Sequence, residues 1–133
     1  MQISRKKHHF KFKNKLTWTK HTLKYGSLGF KIIKCICIID KQEEFLKLLI
    51  IKTLKKITNS KGKILFYSNQ FYNKTKLPLE SRMGKGKGEI ICSFSYYKTG
   101  FILFELKGFD LIDALKLKTY LNNKKIIKFS LIY

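Results

Sequence analysis

Residues 89–107 read Glu89-Ile90-Ile91-Cys92-Ser93-Phe94-Ser95-Tyr96-Tyr97-Lys98-Thr99-Gly100-Phe101-Ile102-Leu103-Phe104-Glu105-Leu106-Lys107. Ile90, Cys92, Phe94 and Tyr96 alternate with Ser93 and Ser95, and beyond Lys98-Thr99-Gly100 the alternation resumes with Ile102, Phe104 and Leu106 against Glu105 and Lys107. A period of two is that of a half-buried strand, and two such runs separated by a short glycine-containing break predict a hairpin. Gly108 closes the second run. Asp110 is then placed to cap a helix reaching about Asn122, with Leu111, Ala114, Leu115, Leu117 and Leu121 inward. Lys118 falls inside that arc and has to snorkel or touch a partner. Residues 126–132 predict a last strand.

Upstream, residues 28–39 are mostly Ile, Phe and Cys, flanked by Gly26 and Gly29, and predict one buried strand. Asp40-Lys41-Gln42-Glu43 has the form of a capping box, and Leu46, Leu49, Ile50, Leu54 and Ile57 follow at three-to-four spacing, which places a helix over about 41–58. Lys47, Lys52, Lys55 and Lys56 lie on its outer faces, available to solvent or to RNA. Asn59-Ser60-Lys61-Gly62 punctuates its end, and a short strand over 63–67 follows. Residues 68–88 lack a regular period and hold the lone Pro, and a loop of that length inside a small domain is usually functional. The expected architecture is α+β: two helices on one face of a mainly antiparallel sheet, in a single domain over 25–133. A basic arm over 1–24 precedes it.

The long loop ends in Arg82-Met83-Gly84-Lys85-Gly86-Lys87-Gly88, three alternate glycines interleaved with cations. Glycine lets backbone amides approach a phosphate closely and reach positive φ. The segment therefore reads as a cationic finger for a polyanion. A nucleotide-binding phosphate loop needs Lys followed by Ser or Thr and then a helix, whereas Lys87 is followed by Gly88, Glu89 and a strand. A phosphate-handling enzyme would also need an acid–base pair, and Glu80 and Glu89 flank the loop with no histidine beside them. Neither a catalytic site nor a cofactor is expected.

Lys and Arg total 29 against 8 Asp and Glu, for a net charge of +21, while 44% of residues are hydrophobic. The chain is thus neither a disordered polycation nor a neutral globule. Such self-repulsion calls for a polyanionic partner, and nucleic acid is the densest common one. The alternative is a generic polybasic binder of nucleic acid or of an anionic membrane surface. A membrane binder would carry a basic amphipathic helix or a lipidation signal, and neither is evident in the sequence. The arm contributes Arg5, Lys6, Lys7, Lys11, Lys13, Lys15, Lys20 and Lys24 with no acid, together with Phe10, Phe12 and Trp18 to stack on bases or sugars. Its other reading is a disordered tail or an import presequence, although presequences are usually richer in Arg and Ser. Cys35, Cys37 and Cys92 fit neither a zinc site nor a disulfide framework and are expected as buried or half-buried thiols. No metal is expected.

Arg82–Gly88 resembles the R-M-G-x-G-K-G signature of the L-sixteen family of large-subunit ribosomal proteins. Tyr25-Gly26-Ser27-Leu28-Gly29-Phe30 is similar to that family's F-G-x-x-G-L segment, and Lys98-Thr99-Gly100-Phe101-Ile102-Leu103-Phe104-Glu105-Leu106 to its K-P-G-x-I-L-Y-E-I. The resemblance covers about residues 9–132, with Ser93 where the family usually has Trp and Thr99 where it has Pro. It implies an α/β hammerhead, partnership with large-subunit rRNA, tRNA and neighbouring ribosomal proteins, and no catalytic role. It further implies that the Arg82–Gly88 loop reaches toward the acceptor arm of aminoacyl-tRNA near the peptidyl transferase centre. Val is absent, Ala and Pro occur once each, and Arg survives only at Arg5 and Arg82, a pattern of A/T-rich codons. With the divergence from the family wording, that bias points to a protein encoded and made inside a mitochondrion, ahead of a plastid or a bacterial cytoplasm.

Overall fold

The computed structural model describes residues 22–58, 62–67, 72–84 and 86–133. Its elements run β1 (Leu28–Ile32), β2 (Ile36–Ile39), α1 (Asp40–Ile57), β3 (Lys63–Phe66), β4 (Tyr72–Lys76), β5 (Glu89–Tyr97), β6 (Ile102–Lys107), α2 (Leu111–Asn123) and β7 (Phe129–Ile132). The α+β class stands, but the strands divide between two antiparallel sheets, ordered β3-β6-β1-β7 and β2-β5-β4. The two helices pack on each other, with α2 over β1 and β7, and α1 against β2 and β5.

The expected hairpin within 89–107 does not form. Its two halves lie in different sheets, and so do the two halves of the single strand expected over 28–39. Each alternating segment finds the other instead of folding on itself: Leu28 pairs with Leu106 and Phe30 with Phe104 in one sheet, Ile36 with Tyr97 and Ile39 with Phe94 in the other. Both segments bend at the same place. Gly100, at φ +85°, donates its N–H to Ile32 O at 2.8 Å, and Ile32 N donates to Phe101 O at 2.9 Å. A pair of strands that changes sheet together at a bend makes a corner, and the turn-like residues Lys98-Thr99-Gly100 build that corner. Period-two patterning specifies which face of a strand is buried, not which strand it meets.

Ring stacking organises the first sheet's inner face. Phe30 lies on Phe104 with centroids 4.4 Å apart, and Phe129 meets both edge-on at 6.0 and 5.7 Å. All three are fully buried. Such pairs add about 0.5–1.5 kcal/mol beyond the apolar area they bury. Helix α1 buries Leu46, Ile50 and Leu54 as its spacing requires, and Leu49 packs at the margin. Asp40 lies in its first turn and does not cap it; the Gln42 side chain accepts from Ile39 N at 3.2 Å. Glu43, expected to complete a capping box, is buried, where it accepts a hydrogen bond from the Tyr97 hydroxyl at 3.1 Å and pairs with Lys47 at 2.8 Å. Helix α2 buries Ala114, Leu117 and Leu121, leaves Lys118 half-buried, and leaves Leu111 and Leu115 over 40% exposed. The stripe in contact is narrower than the apolar arc, so its edges stay in solvent. Asp110 occupies the N-cap without a side-chain cap bond, and the last strand begins three residues later than expected, at Phe129. Cys35 falls in the bend and Cys37 is exposed, correcting the expectation for that thiol.

Glu105 departs most from its expected place. It was assigned to the polar side of an alternating strand, yet β6 is central and Glu105 is 1% exposed. Its carboxylate accepts from the backbone N–H groups of Lys24 at 2.9 Å, Tyr25 at 2.9 Å and Gly26 at 2.6 Å. A Cβ at position 26 would lie 2.6 Å from Glu105 Cβ, so only glycine allows this approach. Burial alone would raise the Glu105 carboxyl, but the converging donors outweigh it and hold the group below its ordinary value of 4.5. The neighbouring Tyr67 phenol is pushed up to about 12, by burial first and then by that carboxylate. It is therefore neutral at physiological pH.

A depressed folded pKa makes the contribution of Glu105 complete above the unfolded value and lost as pH falls through the folded one. Replacing Glu105→Gln removes the charge and sets an amide N–H₂ against N–H donors, at a cost of about 2 kcal/mol near neutrality. Urea unfolding should show that deficit shrinking as pH falls below the ordinary carboxylate range. A deficit constant across the range would refute an ionised clamp.

Candidate nucleic-acid interface

The glycine run lies at the tip of a β4–β5 hairpin. Strand β4 was expected as irregular chain, and its presence shortens the loop from 68–88 to 77–88. Tyr72-Asn73-Lys74-Thr75-Lys76 has no apolar alternation to announce a strand; pairing with β5 makes it one. At its base Tyr72 stacks on Phe94 with centroids 5.8 Å apart and meets Tyr96 at 5.7 Å. Buried Asn73 accepts from the Ser93 hydroxyl at 3.0 Å. The loop rises from an ordered ribbon.

The glycines serve two separate needs. Gly84 and Gly86 hold φ of +100° and +90° with no atom within 4 Å of a would-be Cβ, so the backbone conformation, not crowding, requires glycine there. Gly88 is the reverse: a Cβ would lie 2.3 Å from Lys76 O, so glycine allows β4 and β5 to close at the hairpin neck. Ser81 N donates to Pro78 O at 3.1 Å, forming a turn that presents Leu79, 95% exposed, beside equally exposed Met83. Arg82 and Lys87 are also exposed, and Lys85 lies outside the described residues. Backbone with open approach, cations and apolar tips form a surface able to meet phosphates, ribose and base faces together.

Lys74 and Lys76, both exposed on the edge strand β4, extend this cationic surface down the hairpin. No apolar period marks 72–76 as a strand, and the alternation of Lys74 and Lys76 with Asn73 and Thr75 is the signal the sequence offers for them. Of the arm, Arg5, Lys6, Lys7, Lys11, Lys13, Lys15 and Lys20 lie outside the described residues, as do Phe10, Phe12 and Trp18. Lys24 is described: its side chain is exposed while its N–H is held by Glu105. Lys24, where the arm meets the described residues, binds beside β6, whereas the tip lies beyond Glu89 at the start of β5. Among the described residues no cluster of His, Cys, Asp or Glu has the composition of a metal site, and no helix is long and apolar enough to cross a membrane.

Comparison with known proteins gives one consistent result. The chain matches the family described as Ribosomal protein L16p/L10e over residues 2–125. It is similar to the large ribosomal subunit protein uL16m of Chondrus crispus, 36% identical over 121 residues that cover 90% of this chain and 88% of that protein. The large ribosomal subunit protein uL16 of Carsonella ruddii is 36% identical over 124 residues, covering 92% of this chain and 89% of its own length. That of Fervidobacterium nodosum is 34% identical over 104 residues, 78% and 70% of the two chains.

The two glycine roles predict different responses. Gly88→Ala forces backbone apart at the hairpin neck and should destabilise the protein by about 2 kcal/mol. Gly84→Ala strains an exposed loop and should leave the global melting temperature within about 2 °C of wild type, because the tip unfolds locally at little cost. Thermal melts of both variants check the ranking, which equal losses would contradict.

Proposed function

This chain belongs to the ribosomal protein L16p/L10e family, and on that premise we propose that it holds large-subunit rRNA with its basic surfaces while the β4–β5 tip helps position aminoacyl-tRNA near the peptidyl transferase centre. Membership makes it a structural constituent of the large ribosomal subunit, in a family whose role is structural rather than catalytic. The observation that carries the tRNA reading is the hairpin tip itself. Gly84 and Gly86 are open to solvent at positive φ, and Arg82, Met83 and Lys87 project from it.

Each group has a physical task. Arg82 supplies a planar fork for a phosphate or a face to stack on a base, and Lys85 and Lys87 supply point charges. Gly84 and Gly86 let main chain approach the RNA backbone closely, and Gly88 closes the hairpin neck beneath them. The arm cations Arg5, Lys6, Lys7, Lys11, Lys13, Lys15, Lys20 and Lys24 anchor the protein in rRNA by displacing counterions, each contact contributing roughly 0.7–0.9 to the slope of log K against log salt. Neighbouring ribosomal proteins complete the seat. The site of action is the mitochondrial large ribosomal subunit, a reading supported by the similarity to uL16m and by the A/T-biased composition.

Arg82→Ala should impair tRNA accommodation more than subunit assembly, while deletion of residues 1–21 should impair assembly first. Sucrose-gradient profiles and tRNA-binding assays on the two variants test the ranking, and its reversal would reject this division of labour. Absence of the protein from salt-washed mitochondrial large subunits would reject the placement itself.

A further inference from the structure

The corner where both long segments change sheets gathers cations that are far apart in sequence. Lys34 lies in one bend and Lys98 in the other, and the hydrogen bonds of Ile32 with Gly100 and Phe101 hold the bends together. The turn after α2 joins them, because Ile33 N donates to Lys128 O at 3.2 Å. Lys34, Lys98, Lys125 and Lys128 are all exposed. None of the three segments that meet there, 24–39, 90–104 and 114–133, contains an Asp or Glu. The Lys98 ammonium acts on the Cys35 thiol, drawing down a group that burial pushes up, which places both in one electrostatic neighbourhood.

The α2–β7 turn is built to hold its lysines still. Asn122 Nδ2 donates to Phe129 O at 3.3 Å while its Oδ1 accepts from Phe129 N at 2.9 Å, locking the start of the turn to its end. Lys125 N donates to Asn122 O at 3.1 Å. Lys125 itself adopts φ +55°, the left-handed conformation that the position after a helix C-cap usually gives to glycine. A lysine there is strained backbone carrying a charge outward.

We propose that this corner is a second seat for RNA phosphates, formed by Lys34, Lys98, Lys125 and Lys128 and separate from both the hairpin tip and the arm. It rests on the rRNA-binding reading above. Nine-residue β5 sets the corner roughly 30 Å from the hairpin neck, at about 3.3 Å per residue. A rigid separation of that size makes the two seats contact different parts of a folded RNA. The occupant is RNA rather than a protein because the corner offers point charges with open approach on three segments that themselves carry no Asp or Glu to pair with a protein's cations.

Lys125→Gly separates this role from mere helix termination. Relief of the left-handed strain should raise the melting temperature by about 2–5 °C. The same variant should bind transcribed mitochondrial large-subunit rRNA about threefold more weakly at moderate salt, with the salt slope reduced by just under one. The triple variant Lys34→Gln, Lys98→Gln, Lys128→Gln should lower the slope by about two to three. A more stable K125G with unchanged rRNA affinity and slope would show the lysine to be only a helix terminator and overturn the proposal. So would triple-variant protein that binds rRNA normally but fails to enter subunits, since that result assigns the corner to a protein neighbour. If wild-type protein itself shows no salt-dependent binding to the transcript, the rRNA-binding reading falls, and this seat with it.

Discussion

Three backbone N–H groups converging on the buried Glu105 carboxylate fix the point at which the basic arm joins the folded body. An isolated buried carboxylate would take up a proton; three donors at 2.6–2.9 Å keep it charged and the chain at residues 24–26 in place. In a protein with only 8 acids against 29 cations, using one of them internally is informative. Glu43 is used in the same way, between the Tyr97 hydroxyl and Lys47, where it ties α1 to the end of β5. These carboxylates hold elements together inside, so they do little to neutralise the outer surface. The cationic excess remains outside, where it opposes compaction until an anionic partner neutralises it.

The sequence made the elements more legible than their pairing. Residues 89–97 match a strand to the residue, and the inward stripe of α1 follows directly from its leucine and isoleucine spacing. Lys98-Thr99-Gly100 has the composition of a hairpin turn but forms a sheet corner. The same positive-φ glycine can close a two-residue reversal or bend a strand at a sheet corner, and only a distant partner decides between them. That partner is 28–39, whose own bend falls among Ile33, Lys34 and Cys35, where no glycine or proline marks it. Strand β4 was hidden for a related reason, since its stability comes from Tyr72 on Phe94 and Asn73 with Ser93, contacts that exist only once β5 is present.

Candidate functional residues are legible where they are contiguous. The hairpin tip could be read because its glycines and cations occupy one run, and the structure adds that Gly88 serves closure while Gly84 and Gly86 serve conformation. Lys34, Lys98 and Lys128 could not be read as a group, because nothing local distinguishes them from the other lysines of a lysine-rich chain. Their association depends on the corner hydrogen bonds. Glu105 was missed for the same reason: burial of a charge is visible only with its donors in place.

The cationic regions are strung along one bent ribbon. Residues 28–39 and 94–106 pair antiparallel through both sheets, with Lys24 held at one end by Glu105, the lysine corner at the bend, and the β4–β5 tip extending beyond the other end. Lysines exchange phosphate partners readily, so selectivity among RNAs cannot come from individual side-chain geometry to the extent that arginine forks would provide. A ribbon that fixes the separations between charged regions can supply it instead, because only an RNA folded with phosphates at matching separations engages them together. A near-total preference for Lys over Arg is then compatible with a specific ribosomal position. The bend is the element that would make it so: straightening it would leave the net charge unchanged and lose the spacing that the proposed recognition requires.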